Sequence, residues 1–199
     1  DNLAWKLKLV MDSKAPPTLL DTYGEERGYA ADENLMNSTR STDFITPKST
    51  TSKVFRNAVL QLAAKYPFAR ALVNSGRLSV PSFLTKSALN TPDADAFAGD
   101  MVAGAPMDDA PIQRAGQDTW LLDQLGNRFQ LLLFVVDVGA LDAAKRSQLL
   151  ALERDAIGVQ PVLVTPTGGA VEGFTVLADP QGLVARRYDA KPGTAYLVR

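Results

Sequence analysis

Cysteine and histidine are both absent from this 199-residue chain. Without cysteine there are no disulfides, no thiolate nucleophile, no CxxC redox pair and no cysteine-ligated metal or iron–sulfur centre. Without histidine the usual general base, the Ser-His-Asp triad and most zinc or non-haem iron sites are excluded. Any catalysis by this chain alone would have to run on carboxylates, lysine, tyrosine or serine. Long apolar runs are also lacking. The longest, Leu131 to Val136, falls far short of the ~20 residues a membrane-spanning helix needs. No basic segment followed by an apolar stretch opens the chain, so a cytoplasmic, soluble protein is expected. Nor is there a surplus of either charge. Lysine and arginine number 21 against 22 aspartates and glutamates, for a net charge of −1. Residues 1–100 carry 12 cations and 11 carboxylates, and residues 101–199 carry 9 and 11. Neither half can hold a phosphate backbone by charge, so nucleic acid and membrane are not expected partners.

What remains is ordinary globular composition, 46% apolar and 22% charged. Leu3, Leu7, Val10 and Met11 share one face of a helix over residues 1–12, with Asp1 and Asn2 at its start. Pro16-Pro17 ends it. A second helix is expected from about Leu19 to Asn37, weakened at Gly24 and Gly28. The hydroxyl-rich run Asn37 to Ser52 reads as a loop. Ser52 then caps a third helix, Lys53 to about Lys65, with Val54, Phe55, Ala58, Val59, Leu62 and Ala63 as its apolar stripe. A short helical piece, Phe68 to Val73, follows Pro67.

From Ser75 to Gly116 periodicity disappears and prolines and aspartates take over, as in an interdomain linker with irregular packing segments. Beyond it the pattern becomes α/β. Thr119–Leu122 and Phe129–Val136 are strand candidates joined by a Gly126 turn. Ala140–Ala156 is a helix and Pro161–Thr165 a buried-type strand. Thr175–Ala178 and Leu183–Arg187 read as a second hairpin, and Ala195–Val198 as a last strand. The fold class is α/β. A chain that opens on a helix and closes inside a strand also looks like a piece of a longer protein.

Several stretches sharpen this reading. Asn2 to Leu7 (NLAWKL) with Lys14 to Arg27 (KAPPTLLDTYGEER) resembles the group A flavoprotein aromatic hydroxylases, in the branch of phenol 2-monooxygenase and 3-(3-hydroxyphenyl)propionate hydroxylase. Asn37 to Ser49, Thr119 to Phe134 and Asp179 to Arg199 are similar to the same branch. The resemblance implies that residues 1–74 are the helical C-terminal segment of an FAD-binding domain. Residues 75–116 would be linker and packing segment, and 117–199 a thioredoxin-like domain truncated at its C-terminus. It implies FAD and NAD(P)H as cofactors of the parent enzyme, with one oxygen atom of O2 passing to a phenolic ring. The missing N-terminal FAD-binding domain and a second copy, in a homodimer, are the implied partners.

The departures are as informative. No GxGxxG fingerprint seats a pyrophosphate here, and the later GD-type flavin motif is missing. The junction where a working thioredoxin keeps its cysteines reads Asp137-Val138-Gly139-Ala140-Leu141-Asp142. Cofactor binding is therefore not expected of this chain alone. No residue is nominated as catalytic, cofactor-binding or metal-ligating. Trp5 reads as a core or interface side chain in preference to a flavin neighbour, and Ser38–Asp43 as a capped loop in preference to an anion contact. Asp100, Asp108 and Asp109 lack cation-loop spacing. Glu25-Glu26-Arg27 reads as helix-surface charge and Arg186-Arg187 as an edge-strand face. The alternative to an enzyme fragment is a stand-alone, redox-inactive thioredoxin-like interaction module. The stripes on the first and third helices should be exposed in this chain, or covered by another copy.

Overall fold

The computed structural model describes residues 2–73 and 80–199. It is an α/β protein in which a helical arm precedes a six-stranded mixed sheet. The arm comprises α1 (Asn2–Met11), a 3-10 turn at Pro17–Leu20, α2 (Asp21–Ile45), α3 (Thr50–Lys65) and α4 (Pro67–Val73). The sheet unit comprises β1 (Pro111–Arg114), β2 (Gln117–Trp120), β3 (Phe129–Phe134), α5 (Ala143–Ala151), β4 (Val159–Thr165), β5 (Thr175–Ala178), α6 (Leu183–Arg187) and β6 (Ala195–Val198).

The strand order is β2-β1-β5-β4-β3-β6. β3, β4 and β5 are parallel neighbours, whereas β6 and β1 run antiparallel to the strands they border. Alternation along the central strands feeds two cores. Leu132, Phe134, Val162 and Val164 point to one face, where they meet Ile112, Leu177, Val184 and Tyr188. Leu133, Val135 and Leu163 point to the other, against Leu141 and Leu149 around α5. β3 and β4 are buried on both faces, which is why their sequences are apolar runs instead of clean alternations.

Four sequence expectations change here. The hydroxyl-rich run after Asn37 does not loop out: α2 continues to Ile45. Serine and threonine each cost a helix only a few tenths of a kcal/mol, and no glycine or proline intervenes before Pro47. Thr46, the residue before that proline, is where helical geometry stops. Consequently α3 starts earlier and is capped by Ser49, whose Oγ accepts the Ser52 amide at 3.1 Å.

The third change concerns the strands. Thr119–Leu122 does not pair with Phe129–Val136. β2 pairs instead with β1, which lies inside the stretch expected to be linker. Ala115 and Gly116 both adopt positive φ, 51° and 78°, the two-residue geometry that suits a tight hairpin. The sheet unit thus begins before residue 117. Ile112 and Ala110, at 3% and 0% exposure, are part of its core.

Fourth, Leu183–Arg187 is helix, not strand. Asp179 accepts the amides of Leu183 (2.8 Å) and Ala185 (2.9 Å), and Gly182 turns the chain through the left-handed region. This cap nucleates a helical turn in which Val184 is fully buried. Arg186 and Arg187 are therefore on a helix surface.

Residues 80–110 hold no helix or strand, yet they form a strap with defined contacts. Gly104, at φ +82°, lets the backbone approach Leu84 so closely that an added Cβ would sit 2.3 Å from the Leu84 carbonyl oxygen. The Leu84 amide donates to the Gly104 carbonyl at 2.8 Å. At one end of the strap Ser87 donates to Glu26 of α2. At the other end the Ala98 amide donates to Asp189, Phe97 packs on Tyr196, and Asp108 meets both Arg187 and Tyr188.

Candidate functional site: a polar knot, capped helix ends and an open helix face

The arm is held by polar contacts. Lys6 on α1 is completely buried, and Glu26 on α2 is 7% exposed. Lys6 Nζ donates to Glu26 Oε2 at 2.7 Å and to Thr22 Oγ1 at 2.7 Å. Asn2 Nδ2 donates to the same Glu26 oxygen, and Ser87 Oγ donates to the other, each at 2.6 Å. Burial pushes the Glu26 carboxyl up, but the hydrogen bonds from Asn2, Lys6 and Ser87 outweigh it and hold it below the ordinary glutamate range. One carboxylate thus ties together α1, α2 and the strap. The expectation that Glu25-Glu26-Arg27 is all surface charge fails at Glu26. Thr22 and Glu26 share a face one turn apart, but only the position of α1 turns that spacing into a lysine pocket.

α1 also bridges to the sheet. Trp5 stands edge-on to Phe129 of β3, with ring centroids 5.3 Å apart. The Arg199 guanidinium lies over both rings, at 5.2 and 5.5 Å. Trp5 is half-buried in this contact. The cleft beside it, about 470 Å³, is lined by charges of both signs, including Lys8, Lys14, Arg128, Glu153 and Asp155.

The helix starts that follow β3 and β5 lie where an open α/β sheet would seat a dinucleotide. An open helix N-terminus offers free amides to a pyrophosphate. Here Asp137 accepts the Gly139 amide at 2.6 Å, Asp142 accepts the Lys145 amide at 2.7 Å, and Asp179 accepts two amides of α6. Each terminus already holds a carboxylate, which occupies the donors and repels a second anion. These helix starts do not fit an FAD pyrophosphate.

The remaining sequence candidates are scattered. Ser38–Asp43 lies on the second half of α2, and Asp43 makes an exposed 4.0 Å pair with Lys48. Asp109 accepts the Ala110 and Leu122 amides, Asp108 pairs with Arg187 at 3.0 Å, and Arg186 bonds carbonyls of its own turn. These are structural contacts. Among the described residues no group of three or more acidic side chains converges as a metal site would require. No helix among them is long and apolar enough to cross a membrane.

The largest unsatisfied feature is apolar. No residue of α3 is buried. Val54 and Phe55 are each 65% exposed, Leu62 is 43% exposed, and Tyr66 and Phe68 extend the face as a tilted ring pair. On α1, Leu3, Leu7 and Met11 are likewise exposed. Compared with known proteins, the chain matches no protein-family model and no curated sequence.

Proposed function

We propose that this chain is the C-terminal part of an FAD-dependent monooxygenase that hydroxylates a phenolic ring with NAD(P)H and O2. Within it the chain serves packing and dimerisation, not catalysis. The observation that carries this reading is the open face of α3, with a second exposed apolar stripe on α1. A helix whose large apolar side chains are exposed from Val54 to Leu62 is a surface for another body. The similarity of residues 2–7, 14–27 and 37–49 to the aromatic hydroxylases lies on α1, α2 and the link up to the start of α3, in the segment that the resemblance assigns to the end of an FAD-binding domain. In this reading flavin is held by the partner body, which the exposed helix faces would support.

The test is the intact mass and colour of the natural gene product. A product heavier by several hundred residues, yellow, and oxidising NAD(P)H in the presence of a phenol is expected. A product of 199 residues that stays colourless with added FAD would overturn the enzyme assignment. It would leave a stand-alone interaction module without redox chemistry.

A further inference from the structure

We propose that the cleft at the carboxyl ends of β3 and β4 binds a small carboxylate with a compact apolar body, such as a monocyclic aryl carboxylate. The cleft has a volume of about 370 Å³, within the ~300–1,000 Å³ typical of small-molecule sites. It lies where open α/β sheets usually take ligands, beyond the carboxyl ends of parallel strands.

Its floor is aromatic and aliphatic. Phe134 and Val164, neighbours in the β3–β4 register, are 4% and 2% exposed, and Val135 and Thr165 complete the base. Pro166, Pro180 and Pro192 stand around it. Prolines have a fixed φ and no N–H, so these walls are stiff and offer a ligand no backbone donor. Ala185 and Ala190 line another side and leave the volume open through their small size.

The polar groups of the cleft divide into used and unused. Thr165 Oγ1 is committed to both the amide and the carbonyl of Gly168. Both carboxylate oxygens of Asp179 are committed to α6 amides, which offset its charge. Gln181 and Lys191 are exposed at the rim, and neither side chain has a hydrogen bond or ion pair among the described residues. The Lys191 backbone is fixed by the Thr194 hydroxyl and amide, so its ammonium works from an anchored base. Apolar floor, donor-free walls and one free cation at the rim select an anion on an apolar body. The cleft beside Trp5 is larger, but its mixed charges select no ligand sign.

The measurement is a 15N–1H correlation spectrum of the full chain titrated with benzoate, benzyl alcohol and acetate. Benzoate should shift the amides of Val135, Thr165, Gln181–Ala185 and Lys191 saturably. Acetate, lacking the apolar body, should leave them unmoved. Benzyl alcohol should bind about tenfold more weakly, as loss of a charge-assisted contact predicts. Lys191→Gln, at an exposed position, should weaken benzoate by a similar factor without disturbing the spectrum. Ala185→Leu should fill the cleft and abolish the shifts, and if it fails to fold, Lys191→Gln still decides. Absence of saturable shifts, shifts centred elsewhere, an equal response to acetate, or unchanged benzoate affinity in Lys191→Gln would each overturn the assignment. None of these readouts depends on an upstream flavin domain, so the site can fail while the monooxygenase reading stands, and the reverse.

Discussion

The arm and the sheet unit are built from similar apolar periodicities but are stabilised in opposite ways. In the sheet unit Leu132, Val162, Leu163 and Leu177 are fully buried, and two continuous cores cover both faces of the central strands. In the arm a buried pair is ionic, Lys6 with Glu26, while α3 displays Val54 and Phe55 to solvent. Apolar spacing along a helix marks a face that needs a partner; whether the partner is in the same chain is a separate matter. Where it is present, the hydrophobic effect stabilises the fold. Where it is not, a buried ion pair and its hydrogen bonds fix geometry with little net gain, since desolvation offsets most of the attraction.

That contrast can be broken most sharply in the core. Leu132→Ala should destabilise the sheet unit by about 4 kcal/mol, through lost transfer energy and the cavity left behind. Urea denaturation followed by near-ultraviolet circular dichroism would show it, and a loss under 1 kcal/mol would mean that the two-sided core is not tightly packed. Lys6→Met comes next. It strands the Glu26 carboxylate and should cost the arm about 3 kcal/mol. Hydrogen exchange should rise in α1 and α2 while β3 and β4 stay protected. If protection fell equally in both regions, arm and sheet would be one cooperative unit.

The same knot predicts a pH dependence. Because the folded Glu26 carboxyl is held below its unfolded value, its contribution is fully present above the ordinary glutamate range and is lost as pH falls through the folded value. Arm protection should therefore decline on acidification before that of the sheet unit. The opposite sign holds at Tyr188, which burial pushes well above the usual tyrosine range. Its contribution is complete below about pH 10, where a free tyrosine ionises, and is lost as alkali rises beyond that. The sheet unit and its strap, joined by the Tyr188 hydroxyl to the Asp108 carbonyl at 2.8 Å, should weaken there first. Tyr188→Phe should cost about 1 kcal/mol by deleting that bond, read as a shift in the denaturation midpoint. The smallest effect is expected at the open face. Phe55→Ser should change the stability of this chain by less than about 0.5 kcal/mol, yet impair assembly of the full-length protein if α3 is a packing surface.

Much of the architecture was legible from residue pattern because it rests on local rules. Proline and cap residues bounded α1, α4 and the end of α3 closely, and β4 and β6 followed from short β-branched and aromatic runs. Ala195–Val198 was read at its actual limits. The errors fell where two local signals competed. Hydroxyls suggested a loop where the helix continued to Ile45, and the Asp179–Gly182 turn suggested a hairpin where the Asp179 cap imposed a helix. The β1–β2 hairpin was missed because its Ala115-Gly116 turn lacks the usual Asn-Gly signature. Of the sites, the open stripes on α1 and α3 were foreseen, whereas the Glu26 knot and the strand-end cleft were not. Each of those gathers residues from segments far apart in the chain.

By itself the sequence determined what chemistry is closed to these 199 residues, since a chain without cysteine or histidine has no thiolate and no imidazole in any fold. It also determined where apolar faces must form, because helix and strand periodicity are properties of the chain. Only tertiary structure decided which of those faces find a partner, which carboxylates are spent capping helices, and that Lys6 meets Glu26 and Ser87 in one buried knot. Burial and pairing depend on distances between residues remote in sequence, and no local rule sets those distances.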